Sequence, residues 1–346
     1  MSDQQGQENP QQPEAALFQM ILGGWVAQAI HVAAKLGIAD LLKEEPQSCE
    51  YLAAQTNCHA PTLQRLLRAL ASVGIFTEVA EGVYGQSPLS RLLESDRPDS
   101  LRNSAIMFGE EWHRHAWSHL LYSVQTGEPA FTHLYGMNLF DYLAQNEQAT
   151  QVFSAAMTSI AGPLNPIIAE RYDFSAYRRL VDVGGGHGSL LAAILQAHPQ
   201  LSGVVFDQPL VVEGAKRYLQ SRGLADRSEV VAGSFFDAIP TGADLYLLKF
   251  IIHDWPDETA LTILGNCRKA MRPGSKLLLV EQVLFPGREA VQAKWTDLEM
   301  LVMVGGKERT EQEFRELLTA AGFAWERLIA VQGDISIIEA TAVSDV

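Results

Sequence analysis

Four glycines, Gly184, Gly185, Gly186 and Gly188, follow directly on the apolar stretch Leu180-Val181-Asp182-Val183. A helix-forming segment, Ser189 to Ala197, leaves the cluster. Strand, tight turn, helix is a geometry that brings backbone N–H groups close to a small charged cofactor. The glycines do not complete the G-x-G-x-x-G spacing of a dinucleotide site. The tighter D-x-G-x-G-x-G form, here Asp182 to Gly188, suits a ligand with one nucleoside and a charged amino-acid tail. Asp207 stands about 20 residues further on, where a carboxylate accepts hydrogen bonds from ribose hydroxyls. Beyond it come Gly233-Ser234-Phe235-Phe236, then His253-Asp254-Trp255, then Glu281.

All of these groups fall at the ends of expected strands. Strands are expected over Arg179 to Val183, Gly203 to Asp207, Ser228 to Ala232, Asp244 to Phe250 and Lys276 to Gln282. Helices are expected over Leu190 to Ala197, Leu210 to Arg222, Glu258 to Met271 and Glu311 to Ala321. Trp325 to Val331 and Ser336 to Ala342 read as a closing strand pair. Strands alternating with helices imply an α/β domain with a doubly wound, mostly parallel, Rossmann-like sheet. In such a sheet ligands bind beyond the carboxyl ends of the strands.

Ahead of this domain, apolar residues recur at helical spacing from Glu14 to Leu42, with Gly23-Gly24 as a point of close helix contact. Cys49 to Asn57 and Leu63 to Val73 read as helices, and Ile75 to Val79 and Gly82 to Gly85 as a small hairpin. Helix, turn, helix, hairpin is a winged-helix-like pattern. Its second helix offers only Arg65 and Arg68 as cations, and Glu78, Glu81 and Glu94 surround it. A scaffold for dimerisation therefore fits better than DNA binding. Ser100 to Ala161 is expected to be helical and rich in flat or flexible side chains suited to walling a planar ligand. His115 and His119 stand at i,i+4, but no third metal ligand lies at useful spacing. The expected organisation is a disordered tail over 1–13, a dimerisation domain over 14–100, a helical linker and pocket region over 101–170, and the cofactor domain over 171–346.

The 346 residues carry a net charge of -15, which argues against a general nucleic-acid binder. Cys49, Cys58 and Cys267 form no C-x-x-C pair and read as free thiols. No signal peptide and no uninterrupted apolar run long enough to cross a bilayer is read, so a cytoplasmic protein with no membrane partner is expected.

The stretches Val181 to Gly188, Phe206-Asp207-Gln208-Pro209, Lys249, His253-Asp254-Trp255 and Gly305-Gly306-Lys307-Glu308-Arg309-Thr310 closely resemble the S-adenosylmethionine-dependent, cation-independent O-methyltransferases of the caffeate, hydroxyindole and bacterial polyketide-tailoring type. The resemblance covers nearly the whole chain. It implies that Gly184 and Gly186 approach the methionine part of the cofactor, that Asp207 holds the ribose, and that Gly233, Ser234 and Phe235 flank the adenine. Ser234 stands where the family often has aspartate. Lys249 would line the cofactor pocket. His253 falls on the family's general base, Glu281 and Glu308 on its supporting carboxylates, and Met157, Asp254 and Met300 on substrate-wall positions. The implied partners are a small hydroxylated molecule and a second copy of the chain.

The chemistry agrees with those positions. A phenol-like hydroxyl near neutral pH is mostly protonated, and a histidine is the natural acceptor of its proton. A carboxylate on the other ring nitrogen fixes the tautomer and stabilises the imidazolium. No metal is required. Asp254, Asp257 and Glu258 are a conceivable magnesium cluster, but Asp257-Glu258 reads better as the acidic first turn of a helix. A relative with altered chemistry, a hydroxylase or decarboxylase, and a ligand-responsive winged-helix regulator are the competing alternatives.

Overall fold

Alternate residues of the C-terminal strands point to opposite faces, and both faces are apolar, which is the pattern of a sheet covered on both sides. The computed structural model, which describes residues 13–287 and 291–343, shows this sheet. Its strands are β1 (Arg179–Val183), β2 (Ser202–Asp207), β3 (Ser228–Ala232), β4 (Leu245–Lys249), β5 (Lys276–Leu284), β6 (Phe323–Gln332) and β7 (Ile335–Ala342). They lie in the order β6-β7-β5-β4-β1-β2-β3. The five strands from β5 to β3 are parallel, and β7 and β6 add an antiparallel edge.

Val181, Val183, Leu248 and Leu279 pack on one face under the helices Asp257–Ala270 and Glu311–Ala320. Leu180, Leu247 and Val280 pack on the other under Leu164–Arg171, Ser189–Ala197 and Pro209–Ser221. The same parity puts Asp182 and Lys249 on the second face and Glu281 on the first. Strand order reverses at β1, which is the switch point where an open α/β sheet binds its ligand.

The chain divides into two compact units. One gathers the residues up to Arg114 with Gln148–Ile160; the other holds His115–Glu147 and everything from Ala161 onward. In the first unit the helices Cys49–Thr56 and Ala60–Ser72 are followed by the hairpin Phe76–Ala80 and Val83–Gln86, with Gln47–Ser48 as a third short strand. This is the winged-helix-like pattern.

Two expectations need correction, and one lies beyond the description. The first helix is not continuous to Leu42: it runs Pro13–Leu36, Gly37 takes a left-handed φ of 68°, and Ile38–Leu41 starts afresh. That first helix is long and apolar enough, by length and composition, to cross a bilayer, contrary to the sequence reading. At Gly23-Gly24 a helix contact is made by backbone: Arg114 Nη1 of the helix Glu111–Ser118 donates to Gly24 O at 3.3 Å, while the space a Cβ would take at either glycine is open to 4 Å. Leu17, Phe18, Met20, Ile21 and Trp25 of this helix are exposed. The expected disordered tail, apart from Pro13, lies outside the described residues.

Candidate active site

The glycine turn adopts backbone angles that side chains resist. Gly184, Gly186 and Gly188 have φ of 69°, 58° and 76°. A Cβ on Gly184 would sit 2.5 Å from Ile251 Cδ1, whereas the space beside Gly186 is open to 4 Å. The turn thus presents bare backbone on one side and touches the loop after β4 on the other. Gly186 N–H donates to Asp207 Oδ2 at 2.8 Å, and Gln208 N–H donates to Asp207 Oδ1 at 2.7 Å. Burial raises the Asp207 pKa, while these backbone donors and His187 hold it down. Phe235 lies 3.8 Å from the Cβ position of Gly184. Gly233 is required because a Cβ there would meet the Phe206 ring at 2.5 Å. Ser234 Oγ accepts the Phe236 N–H at 3.2 Å, leaving its own proton to donate. Together, bare glycine backbone, a half-buried ribose-type carboxylate and a flanking aromatic ring fit a nucleoside with a short charged tail.

Beneath the turn lies a buried polar group. Lys249 Nζ donates to Asn165 Oδ1 at 2.6 Å, and Asn165 Nδ2 donates to Ser189 Oγ at 3.0 Å. Burial lowers the Lys249 pKa and raises that of Asp182, each opposed by the charge of the other. Asp182 Oδ2 is buried without a hydrogen-bond partner among the described residues. Asn165 carried no signal in the sequence; only the packing of Leu164–Arg171 on Ser189–Ala197 brings it here.

The loop leaving β4 carries the candidate base. Phe250 takes a left-handed φ of 54°, a conformation that costs a large residue of order 1–3 kcal/mol and that clusters at functional sites. Its ring stacks on His253 with centroids 5.6 Å apart. His253 Nδ1 is 2.8 Å from Glu308 Oε1 and 3.9 Å from Glu281 Oε2, and Nε2 is 3.6 Å from Asp254 Oδ1. Glu281 is aimed by the N–H groups of Ile251 and Ile252, which donate to its Oε1 at 3.2 and 2.9 Å. Glu308 is held by its own N–H, which donates to Asp297 Oδ1 at 2.9 Å. Asp297 lies on the helix Val291–Met303, which was not expected from the sequence.

Burial by itself would lower the His253 pKa, but the charges of Glu281, Glu308 and Asp254 outweigh it and push it up to about 10. Burial pushes Glu281 up to about 7 and Asp254 up to about 6, each restrained by His253. A base must first lose its own proton. Activity is therefore expected to climb from neutral pH towards about 10, followed as kcat/KM against pH; a flat profile there would remove His253 as the titrating base. The sign for stability is opposite. The raised pKa stabilises the folded chain below the ordinary 6.5 and this contribution is lost as pH rises through about 10.

The structure brings Gly184, Gly186, Asp207, Phe235, His253, Asp254, Glu281 and Glu308 to one end of the parallel sheet. Met300 is buried on Val291–Met303, and Met157 is half-buried on Glu147–Ala161 in the other compact unit. The possible magnesium cluster at 254–258 does not gather: Asp257 pairs with Arg309 and Lys307, and Asp257 and Glu258 open the helix Asp257–Ala270. The ligand atoms of His253, Glu281 and Glu308 do lie within 4.8 Å of one another.

Fold and site define a class: a Rossmann-like α/β fold with a glycine-rich turn at the β1 switch point, where such sheets bind nucleotide-type ligands, and a buried histidine–carboxylate cluster after β4. Residues 117–324 match the O-methyltransferase domain family, and residues 18–96 match the O-methyltransferase dimerisation domain family. The chain belongs to the S-adenosylmethionine-dependent O-methyltransferases. It is 46% identical over 324 residues to the phenazine O-methyltransferase PhzM of Lysobacter antibioticus, covering 94% of this chain and 95% of that protein. Mitomycin biosynthesis 6-O-methyltransferase of Streptomyces lavendulae is 39% identical over 98% of this chain and 99% of its own length. Phenazine-1-carboxylate N-methyltransferase of Pseudomonas aeruginosa is 33% identical over 90% and 92%. The crystal structure of LaPhzM superposes with a TM-score of 0.91 at 45% identity, covering 95% of this chain and 99% of that one. NcsB1, an O-methyltransferase from neocarzinostatin biosynthesis in complex with S-adenosylmethionine and 2-hydroxy-5-methyl naphthoic acid, gives 0.81 at 35% identity over 92% and 96%.

Proposed function

We propose that the chain methylates a hydroxyl of a small fused-ring aromatic molecule, with His253 as general base and without a metal. The buried 2.8 Å contact between His253 Nδ1 and Glu308 carries this assignment, because it leaves Nε2 as the nitrogen that can take a proton. When bound, S-adenosylmethionine supplies an electrophilic methyl on a positively charged sulfur. Gly184, Gly186 and Lys249 would hold its amino-acid end, Asp207 its ribose, and Gly233, Ser234 and Phe235 its adenine. Next to that positive charge the imidazole gives up its resting proton more readily. Neutral His253 then takes the acceptor's hydroxyl proton at Nε2, Glu308 steadies the resulting imidazolium through Nδ1–H, and Glu281 adds a second negative charge. Asp254, beside Nε2, and Met300 would contact the acceptor. Phenazine and naphthoate relatives support a flat, fused-ring acceptor. The dimerisation-domain match and the exposed apolar face of Pro13–Leu36 support a homodimer, and the acidic charge an enzyme with no nucleic-acid partner.

Incubation with methyl-labelled cofactor and a panel of hydroxyphenazines, hydroxynaphthoates and simple phenols should give one labelled methyl ether with a fused-ring member. Label on none of the hydroxylated compounds would count against the assignment, and oxygen gain by mass would point to altered chemistry. The resemblance to an N-methyltransferase favours one second reading, transfer to a ring nitrogen. A ring nitrogen with a free lone pair has no proton to remove, so that reaction would survive the loss of His253.

A further inference from the structure

The base mechanism leaves one buried cation without a role. Arg309 has no exposed surface. Its guanidinium nevertheless has a partner for every donor direction. Nη1 donates to Ile252 O at 2.9 Å and Lys307 O at 3.4 Å. Nη2 donates to Trp255 O at 2.8 Å and to Asp257 Oδ1 at 2.8 Å, and Nε donates to the same carboxylate oxygen at 3.0 Å. Ile252 and Trp255 flank His253-Asp254, so one planar group grips the loop on both sides of the base.

The same segment meets the loop with its backbone. Lys307 N–H donates to His253 O at 2.9 Å. A Cβ on Gly306 would run into that carbonyl and into Asp254, so only glycine allows the approach. Arg309–Thr310 pairs in parallel with Val283 and Leu284 of β5, the strand that carries Glu281. Thr310 then caps the helix Glu311–Ala320 in a reciprocal box with Glu313. Residues 306–309 are thereby tied to the sheet at one end and moulded to the base loop at the other.

We propose that Arg309 is a positioning residue for the methyl-transfer base: by holding the carbonyls of Ile252 and Trp255, it sets the tilt of the His253 imidazole against Glu308. This role rests on His253 being the base. A buried guanidinium can do this because its five donors are rigid and coplanar. A lysine offers donors from a single nitrogen and cannot reach both carbonyls and Asp257 together. The cost of a misplaced catalytic group can reach about 10²-fold in rate.

The test uses full-length Arg309→Lys and, as a milder perturbation, Asp257→Asn, whose carboxylate is 55% exposed and pairs with Arg309 and Lys307. Each is read three ways. Calorimetry follows S-adenosylhomocysteine affinity, steady-state kinetics separate kcat from KM on a hydroxyphenazine acceptor, and NMR titrates the His253 imidazole, assigned against His253→Asn. Glu281, Glu308 and Asp254 are the titratable groups facing that ring. The expected result for Arg309→Lys is unchanged cofactor-product affinity, kcat lower by up to about 10²-fold, little change in KM, and a His253 titration moved downward. Asp257→Asn should shift the titration the same way by less. A folded Arg309→Lys with an unmoved His253 titration overturns the proposal, as does a loss of kcat matched by equal loss of affinity. If Arg309→Lys fails to fold, an unmoved titration in Asp257→Asn overturns it. Should His253→Ala remain active, the base assignment fails, while the NMR comparison still reports on what Arg309 holds.

Discussion

Replacing His253 with alanine is expected to reduce kcat by about 10²–10⁴-fold while leaving S-adenosylhomocysteine affinity essentially unchanged. The size follows from what the residue would do. Proton removal is the one step for which the acceptor hydroxyl needs a partner, and among the described residues no other nitrogen base shares the cluster of Glu281, Glu308 and Asp254 around His253. The separation from cofactor binding follows from geometry, because the hydrogen bonds that fix the glycine turn run to Asp207 and Phe206 at the end of β2, and His253 takes part in none of them. The substitution also removes the cation between two buried glutamates. Glu281 already tends towards its neutral form, with a pKa pushed up to about 7, so protonation can relieve the unpaired charge. Rapid-mix turnover beside calorimetry of the cofactor product checks both halves. Near-normal turnover would rule out His253 as base and would favour an acceptor that needs none, such as a ring nitrogen. His253→Gln should match alanine in rate, since an amide keeps a hydrogen bond but cannot take the proton.

Asp207→Ala should weaken binding of S-adenosylmethionine by about 10²–10⁴-fold, from two hydrogen bonds to a charged group at roughly 1.5–3 kcal/mol each. Two losses combine. The ribose hydroxyls would lose the acceptor proposed for them, and Gly186 N–H loses the oxygen 2.8 Å away that anchors the turn. Asp207→Asn keeps one neutral acceptor and should fall between the two. The sign of the pH effect is fixed: burial raises the Asp207 pKa, so cofactor affinity should weaken as pH drops and the carboxylate becomes neutral. Calorimetry across mildly acidic to neutral pH measures both. Unchanged affinity in Asp207→Ala would place the ribose elsewhere and reopen which end of the sheet binds it.

The glycine-turn side of this site was legible because its signals are local. Asp182 to Gly188 lies within seven consecutive residues, and the strands around it read from alternation alone. The helix Val291–Met303 was not legible. Its apolar residues, among them Val291, Trp295, Leu298, Met300 and Val302, fall on several faces and leave no single stripe, and Trp295 is exposed. Missing that helix meant missing Asp297, which holds Glu308. The break after Leu36 had a signal, Gly37, but a glycine inside an apolar run ends a helix only when its neighbours let it turn left-handed.

By itself the sequence determined which groups were available and which strand ends carried them. Backbone conformation is set by residues a few positions apart, and side-chain parity follows from period two. It determined the glycine turn, Asp207 at the end of β2, Glu281 on β5 and His253 after β4. Tertiary structure decided distance and dielectric. His253 and Glu308 are 55 residues apart in the chain and 2.8 Å apart in space. Only packing could make that pair, bury Glu281 beside it and push the imidazole up to about 10. Only packing could turn Arg309, a charged residue that composition would leave in water, into the buried clamp of the loop that carries His253. Charges separated along a flexible chain interact weakly through water, whereas the fold brings them together where water no longer screens them.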